Sequence, residues 1–164
     1  MTDAAAALVE IEAIKTLKAR YCRLLDTKQW SRWRALFAAD FRSDTSTAGG
    51  KVIVGADEFV DFTRRSLGDR ATVHQVHAPE IELTSPTTAT GVWALEDVVR
   101  LGPGVNLRGY GHYTETYQKV DGSWLFTSST LTRLREDIFN TVVSVYVSDR
   151  LKRVIGAAAR RVVR

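Results

Sequence analysis

The chain has one cysteine, Cys22, among its 164 residues. A lone cysteine excludes an intrachain disulfide and any zinc site built on thiolates. Proline is scarce too, at three, and neither a low-complexity linker nor an internal repeat divides the sequence. No apolar run approaches the ~20 residues that a membrane-spanning helix needs. The opening MTDAAAALVEIEAIK has no basic segment ahead of its apolar part and carries acids inside it, unlike a secretory leader. Phosphate-cradling glycine loops are missing, as is the G-x-S-x-G turn of a serine nucleophile. What is left is one soluble domain, expected in the cytoplasm.

The material for a core is present, with 45% hydrophobic and 26% charged residues. The net charge of +4 is unevenly placed: residues 133–164 hold eight Lys/Arg against three Asp/Glu, and residues 1–132 hold fifteen against sixteen. Basicity therefore belongs to a tail, so no nucleic-acid partner is expected. Adhesion of that tail to anionic surfaces should be weak and salt-sensitive.

Apolar residues recur at three- and four-residue steps from Ala4 to Leu25, through Leu8, Ile11, Ile14, Leu17 and Tyr21, which predicts an amphipathic helix. A short second helix would bury Trp30, Trp33, Leu36 and Phe37. A third would open at Gly55-Ala56-Asp57 with Asp57 as N-cap, and bury Phe59, Phe62 and Leu67. After residue 70 alternation and Thr/Val enrichment predict strands near 72–84, 88–101, 107–120 and 123–135. Asp121-Gly122 marks a tight hairpin between the last two. A last helix is expected over 149–162, with Lys152, Arg153, Arg160 and Arg161 on its polar face. Helices first and an antiparallel meander afterwards indicate the α+β class. The expected architecture is a cone-shaped α+β barrel: three N-terminal helices on a strongly curved, mostly antiparallel sheet, plus a C-terminal helix. The domain would span 1–137 and a helical extension 138–164. Its hollow suits a small hydrophobic molecule.

Three histidines are available: His74, His77 and His112. Strand alternation puts His74 with Thr72 and Val76 on one face and His77 on the other, which disfavours chelation of a metal by the pair. The next strand sorts Trp93, Leu95, Asp97 and Val99 onto one face. A carboxylate among Trp, Leu and Val costs several kcal/mol unless paired or protonated, so Asp97 requires a partner: a histidine, or Arg100 or Arg108. Asp26 is a second candidate carboxylate, or alternatively a cap for the second helix. Tyr21 and His74 could each be hydrogen-bonded core residues. His112 shares a face with Tyr110 and Thr114, on the outer side of the sheet. Cys22 reads as a packed thiol.

Taken together, RYCRLLDTKQWSRWRALFAADF, the Gly55-Ala56-Asp57 helix start, TVHQVHAPEIEL, ATGVWALEDVVRL and RGYGHYTETYQKVDGSWLFTSS resemble a SnoaL-like member of the nuclear transport factor 2-like superfamily, over about residues 8–137. Within it the pattern is similar to that of the bile-acid 7α-dehydratases and, more distantly, of scytalone dehydratase. In that pattern a tyrosine, an aspartate, a strand histidine and a second aspartate fall at Tyr21, Asp26, His74 and Asp97, separated by 5, 48 and 23 residues. An arginine of the last strand belongs to the same site, at Arg135 or Arg133. Leu25 stands where scytalone dehydratase has a tyrosine, and that enzyme's second histidine has no counterpart, so scytalone is not the expected substrate.

The resemblance implies a cofactor-independent, metal-free lyase of dehydratase type, or a related isomerase, acting on an apolar polycyclic hydroxy-ketone of steroid-like or polyketide-like shape. His74, oriented by Asp26, would be the base. Tyr21 would hold the enolate oxygen, and a protonated Asp97 would protonate the departing hydroxyl. Trp93, Leu95, Tyr113 and Arg135 would line the substrate. The alternative is a non-catalytic binding or oligomerisation module of the same fold. A homo-oligomer, trimer or dimer, is implied in either case, through the outer sheet face that carries Glu96, Val98 and Arg100.

Overall fold

A computed structural model describes residues 3–140, 144–146 and 153. Its elements are α1 (Asp3–Asp26), α2 (Trp30–Arg34), β1 (Phe37–Asp44), a single 3₁₀ turn (Ser46–Ala48), β2 (Val52–Val54), α3 (Ala56–Leu67), β3 (Thr72–Leu83), β4 (Thr88–Gly102), β5 (Val105–Val120), β6 (Ser123–Phe139) and β7 (Ser144–Tyr146). The strands form one sheet in the order β2-β1-β6-β5-β4-β3, with β7 also on β6. All pairings are antiparallel except β1 with β6.

The α+β class and the curved sheet under N-terminal helices are as expected, but the sheet does not close into a barrel: β2 and β3 remain its edges. Its curvature is helped by irregularities in pairing. β3 shifts register between His77 and Glu80, where Ala78 has φ +33°, and β5–β6 shifts twice, at Tyr110/Gly111 and Thr116/Tyr117. Each such bulge adds local twist and bends the strand.

The long helix α1 lies across the concave side, burying Ile14, Leu17, Lys18, Tyr21, Cys22 and Leu25. It stops in a Schellman arrangement: Gln29 N–H donates to Leu24 O at 2.9 Å and Lys28 N–H to Leu25 O at 3.1 Å, with Lys28 left-handed at φ +57°.

Three local expectations are corrected. The second helix is only five residues long, and Phe37 opens β1, where it pairs with Phe126. Phe37 and Phe41 are both buried, four residues apart and so on one face of a strand, although β1 slips register between Phe37 and Arg42. Asp57 does not cap α3: the cap position is Gly55 at φ +98°, a conformation that disfavours a side chain, and Asp57 instead accepts from Arg34 Nε at 2.6 Å. The last strand runs past residue 137 to Phe139 and takes β7 as a neighbour, so the C-terminal extension begins as sheet. The helix expected over 149–162 lies, Arg153 apart, outside the described residues. Among the described residues, no helix is long and apolar enough to cross a membrane.

Rings fill the space between α1, α2, α3 and the sheet. Phe37 and Phe41 stand 4.5 Å apart between centroids, Trp33 and Phe37 5.0 Å, and Tyr21 and Phe126 5.4 Å. Phe126→Ala should therefore cost about 3–5 kcal/mol, read as a lower urea midpoint at an unchanged slope. Burial pushes the Cys22 thiol up to about 11. At pH 8 the folded protein should resist a disulfide reagent that modifies one thiol per chain once urea is added; fast labelling of the native form would contradict the packing.

Candidate active site

The end of α1 and the start of β3 are joined by a carboxylate. Asp26, the last residue of α1, accepts three hydrogen bonds: Thr72 Oγ1 to Oδ1 at 2.8 Å, His74 Nδ1 to Oδ1 at 2.6 Å, and the His74 backbone N–H to Oδ2 at 2.8 Å. A carboxylate can only accept, so His74 Nδ1 carries a proton, and in the neutral imidazole the lone pair sits on Nε2. Behind Thr72, Lys28 Nζ donates to its Oγ1 at 2.7 Å, a reach made possible by the left-handed turn at Lys28. Asp26 is thus no cap for α2, which has no side-chain cap at all.

His74 borders a cavity of about 230 Å³ whose walls include Tyr21, Leu25, Trp33, Phe59, Asp97, Tyr113, Leu131 and Arg133. It stands across from Asp97 in the β3–β4 register. The carboxylate of Asp97, 2% exposed, is paired with Arg133, whose Nη2 donates to Oδ2 at 2.7 Å. None of the expected partners of Asp97 holds this contact. Asp97 Oδ2 is thus engaged as the acceptor of an ion pair with Arg133.

Space for the pair is left by Gly109, which lies opposite Asp97 on β5. A Cβ there would collide with Arg133 Nη1 and come within 2.7 Å of Asp97 Oδ1. Three buried polar atoms of cavity-lining residues have no hydrogen-bond partner among the described residues: Trp33 Nε1, Asp97 Oδ1 and Arg133 Nη1. Buried polar groups are normally satisfied, so two unused donors and one unused acceptor on residues that line one hollow set it apart from the rest of the core.

Tyr21 and Tyr113 both line this hollow. Burial, above all, pushes both phenols well above their ordinary value, so they stay neutral and able to donate. The remaining expectations about lining residues divide. Trp93 and Leu95 are buried but lie outside the cavity wall, and Trp93 Nε1 donates to Tyr117 Oη at 2.8 Å. Arg135 is replaced by Arg133: a bulge at Leu134 reverses the in–out alternation of β6, so Arg133 faces the hollow while Arg135 pairs with Asp137 at 3.0 Å and is more than half exposed. His77 is exposed, and His112 lies on the face opposite to Tyr113. No group of three His, Cys, Asp or Glu able to hold a metal occurs among the described residues.

A second charged pair was not foreseen. Lys18 and Glu115 are both 0% exposed, with Nζ 2.6 Å from Oε1. The signal was available in the sequence. Lys18 falls on the apolar stripe of α1, four residues after Ile14, and Glu115 alternates inward between Tyr113 and Tyr117.

Comparison with known proteins places this geometry in context. A family model described as a SnoaL-like domain matches residues 6–130. A curated protein of Gibberella zeae, "Probable cyclase FGR4", is 27% identical over 133 residues, spanning 74% of this chain and 89% of that protein. A scytalone dehydratase-like protein from Novosphingobium aromaticivorans superposes with a TM-score of 0.74 at 26% identity, covering 89% of this chain and 95% of its own. A hexachlorocyclohexane dehydrochlorinase, LinA type 2, is alike in fold, with a TM-score of 0.76 at 18% identity over 85% of this chain and 95% of that one.

Arg133→Met should destabilise the protein by about 3–5 kcal/mol, because it leaves the Asp97 charge buried alone. Gly109→Ala keeps both charges and displaces the guanidinium and Asp97 Oδ1 without removing either, so its loss should be smaller. Chemical denaturation of the two variants checks that order. At alkaline pH the buried phenols set the sign. Unfolded tyrosines ionise near 10, whereas Tyr21 and Tyr113 stay protonated well above it. Stability should hold below pH 10 and fall as the pH rises past it, measured by urea unfolding across that range.

Proposed function

The chain belongs to the SnoaL-like domain family, and on that premise we propose that it is a cofactor-independent lyase of dehydratase type, abstracting a proton beside a carbonyl through His74. Relatives named as a cyclase and as scytalone dehydratase-like support a small-molecule-converting enzyme of lyase or isomerase kind. The observation that carries the finer reading is the 2.6 Å contact of His74 Nδ1 with Asp26 beside a cavity with unused donors.

In this reading the substrate carbonyl accepts from the neutral hydroxyl of Tyr21 or Tyr113. His74 Nε2 takes the α-proton, and the electron pair moves onto the carbonyl oxygen as an enolate. Asp26 holds the imidazolium that results. The enolate re-forms the carbonyl as the β-hydroxyl leaves, and the departing oxygen takes the proton back from His74, releasing water. Arg133 and Asp97 anchor a further oxygen of the ligand, Arg133 Nη1 as donor and Asp97 Oδ1 as acceptor.

Volume limits the ligand. A cavity of about 150 Å³ holds benzene, so 230 Å³ matches a compact ring system of about two fused rings and is small for a four-ring steroid. A polyketide-like bicyclic hydroxy-ketone is therefore favoured over a steroid. Assembly as a trimer or dimer through the outer sheet face, and a cytoplasmic place of action, belong to the same reading.

Exchange of the α-proton needs only the base and the oxyanion donor, so it tests the mechanism without the true leaving group. Bicyclic ketones incubated in D₂O should gain deuterium at the α-carbon with the wild type. The rate should fall about 10²–10⁴-fold in His74→Ala, and substantially in Asp26→Asn. Binding of the ketones without exchange would instead make the protein a small-molecule binder.

A further inference from the structure

Lys18 is the one cation on the sheet-facing stripe of α1, and it is completely buried. Its Nζ donates to Glu115 Oε1 at 2.6 Å. The carboxylate is held from its other sides as well: Tyr117 Oη donates to Oε2 at 2.6 Å, and Ser129 Oγ to Oε1 at 3.2 Å. Glu115 is thus embedded in hydroxyls. Lys18 faces aromatic rings, with Nζ 3.7 Å from the centroid of Tyr113 and 4.4 Å from that of Tyr21. Both rings line the cavity that contains His74.

A buried ion pair gives little stability beyond what an apolar pair of the same volume would give. What this pair does supply is a fixed dipole whose positive end is pressed against two phenol rings. A cation over a ring face withdraws electron density from it, and in a dry interior the effect is weakly screened. The ring hydroxyl then becomes a stronger donor.

We propose that Lys18 is a positioning residue that polarises Tyr21 and Tyr113 from behind, so that the cavity prefers an anionic oxygen, enolate or phenolate, over its neutral form. Glu115 opposes Lys18 and, after burial, is among the groups that hold both phenols up; Lys18 Nζ is the charge that touches the ring faces, at 3.7 Å and 4.4 Å from their centroids. The inference rests on the reading of this cavity as an oxyanion-binding site and extends it to a residue that never touches the ligand.

The test uses substituted 2-naphthols of graded acidity, with naphthalene as a non-ionisable reference, bound to the intact protein and followed by calorimetry. In the wild type, affinity should rise with naphthol acidity. In Lys18→Met/Glu115→Gln, which removes both charges together, the slope of log Kd against naphthol acidity should fall by half or more. The most acidic naphthol should lose about tenfold in affinity, while naphthalene stays within twofold. A parallel loss for every ligand would mean a purely structural role and would overturn the proposal, as would an unchanged slope. Tyr113→Phe, which removes a hydroxyl through which Lys18 acts and leaves the ion pair in place, should flatten the slope likewise. A full slope in that variant and in Tyr21→Phe overturns the proposal even if the double variant fails to fold. Wild-type binding without any dependence on acidity overturns the role of Lys18 alone, whereas no binding of naphthols or naphthalene overturns the reading of the cavity as well.

Discussion

The carboxylate of Asp26 is where helix and sheet are fastened together. Three hydrogen bonds from Thr72 and His74 end on it, two from side chains and one from the backbone. They set the angle at which α1 crosses the first strand of the meander. The same bonds fix which nitrogen of His74 carries its proton. A single contact therefore serves packing and, in the proposed reaction, chemistry. The residues that reinforce it, Thr72 and Lys28, belong to the turn that ends α1 and to the strand it meets.

Around this clamp the concave side of the sheet holds two further charge pairs where an ordinary core would hold only apolar groups. Asp97–Arg133 borders the cavity and keeps one polar atom on each partner unused. Lys18–Glu115 lies deeper and has its carboxylate fully engaged. The contrast is instructive. Unused hydrogen-bonding capacity belongs to residues that line the hollow, and the deeper pair is closed by its own neighbours. Aromatic rings separate the two, so charge can act across the wall without being exposed to solvent.

Much of this could be read in the sequence because it depends on local periodicity. The stripe from Ile14 to Leu25 made α1 visible, and alternation in TVHQVHAPEIEL and ATGVWALEDVVRL separated His74 from His77 and put Asp97 with Trp93 and Leu95. Where alternation breaks, the reading fails. Phe37, expected on the second helix, opens β1 beside a slip in its register, and the bulge at Leu134 exchanged the roles of Arg133 and Arg135. Lys18 and Glu115 could have been found by the argument applied to Asp97, since each is a charge at an inward position.

The sequence by itself determined the class, the first and third helices and the four long strands, because these follow from periods of 3.6 and 2 along the chain. Only the tertiary structure decided the partners. Asp26 meets His74 across 48 intervening steps of chain, Asp97 finds Arg133 and not a nearer arginine, and Gly109 matters for the side chain it lacks. Such pairings depend on the curvature of the sheet and on the space between strands that are distant in sequence. No local pattern encodes that distance.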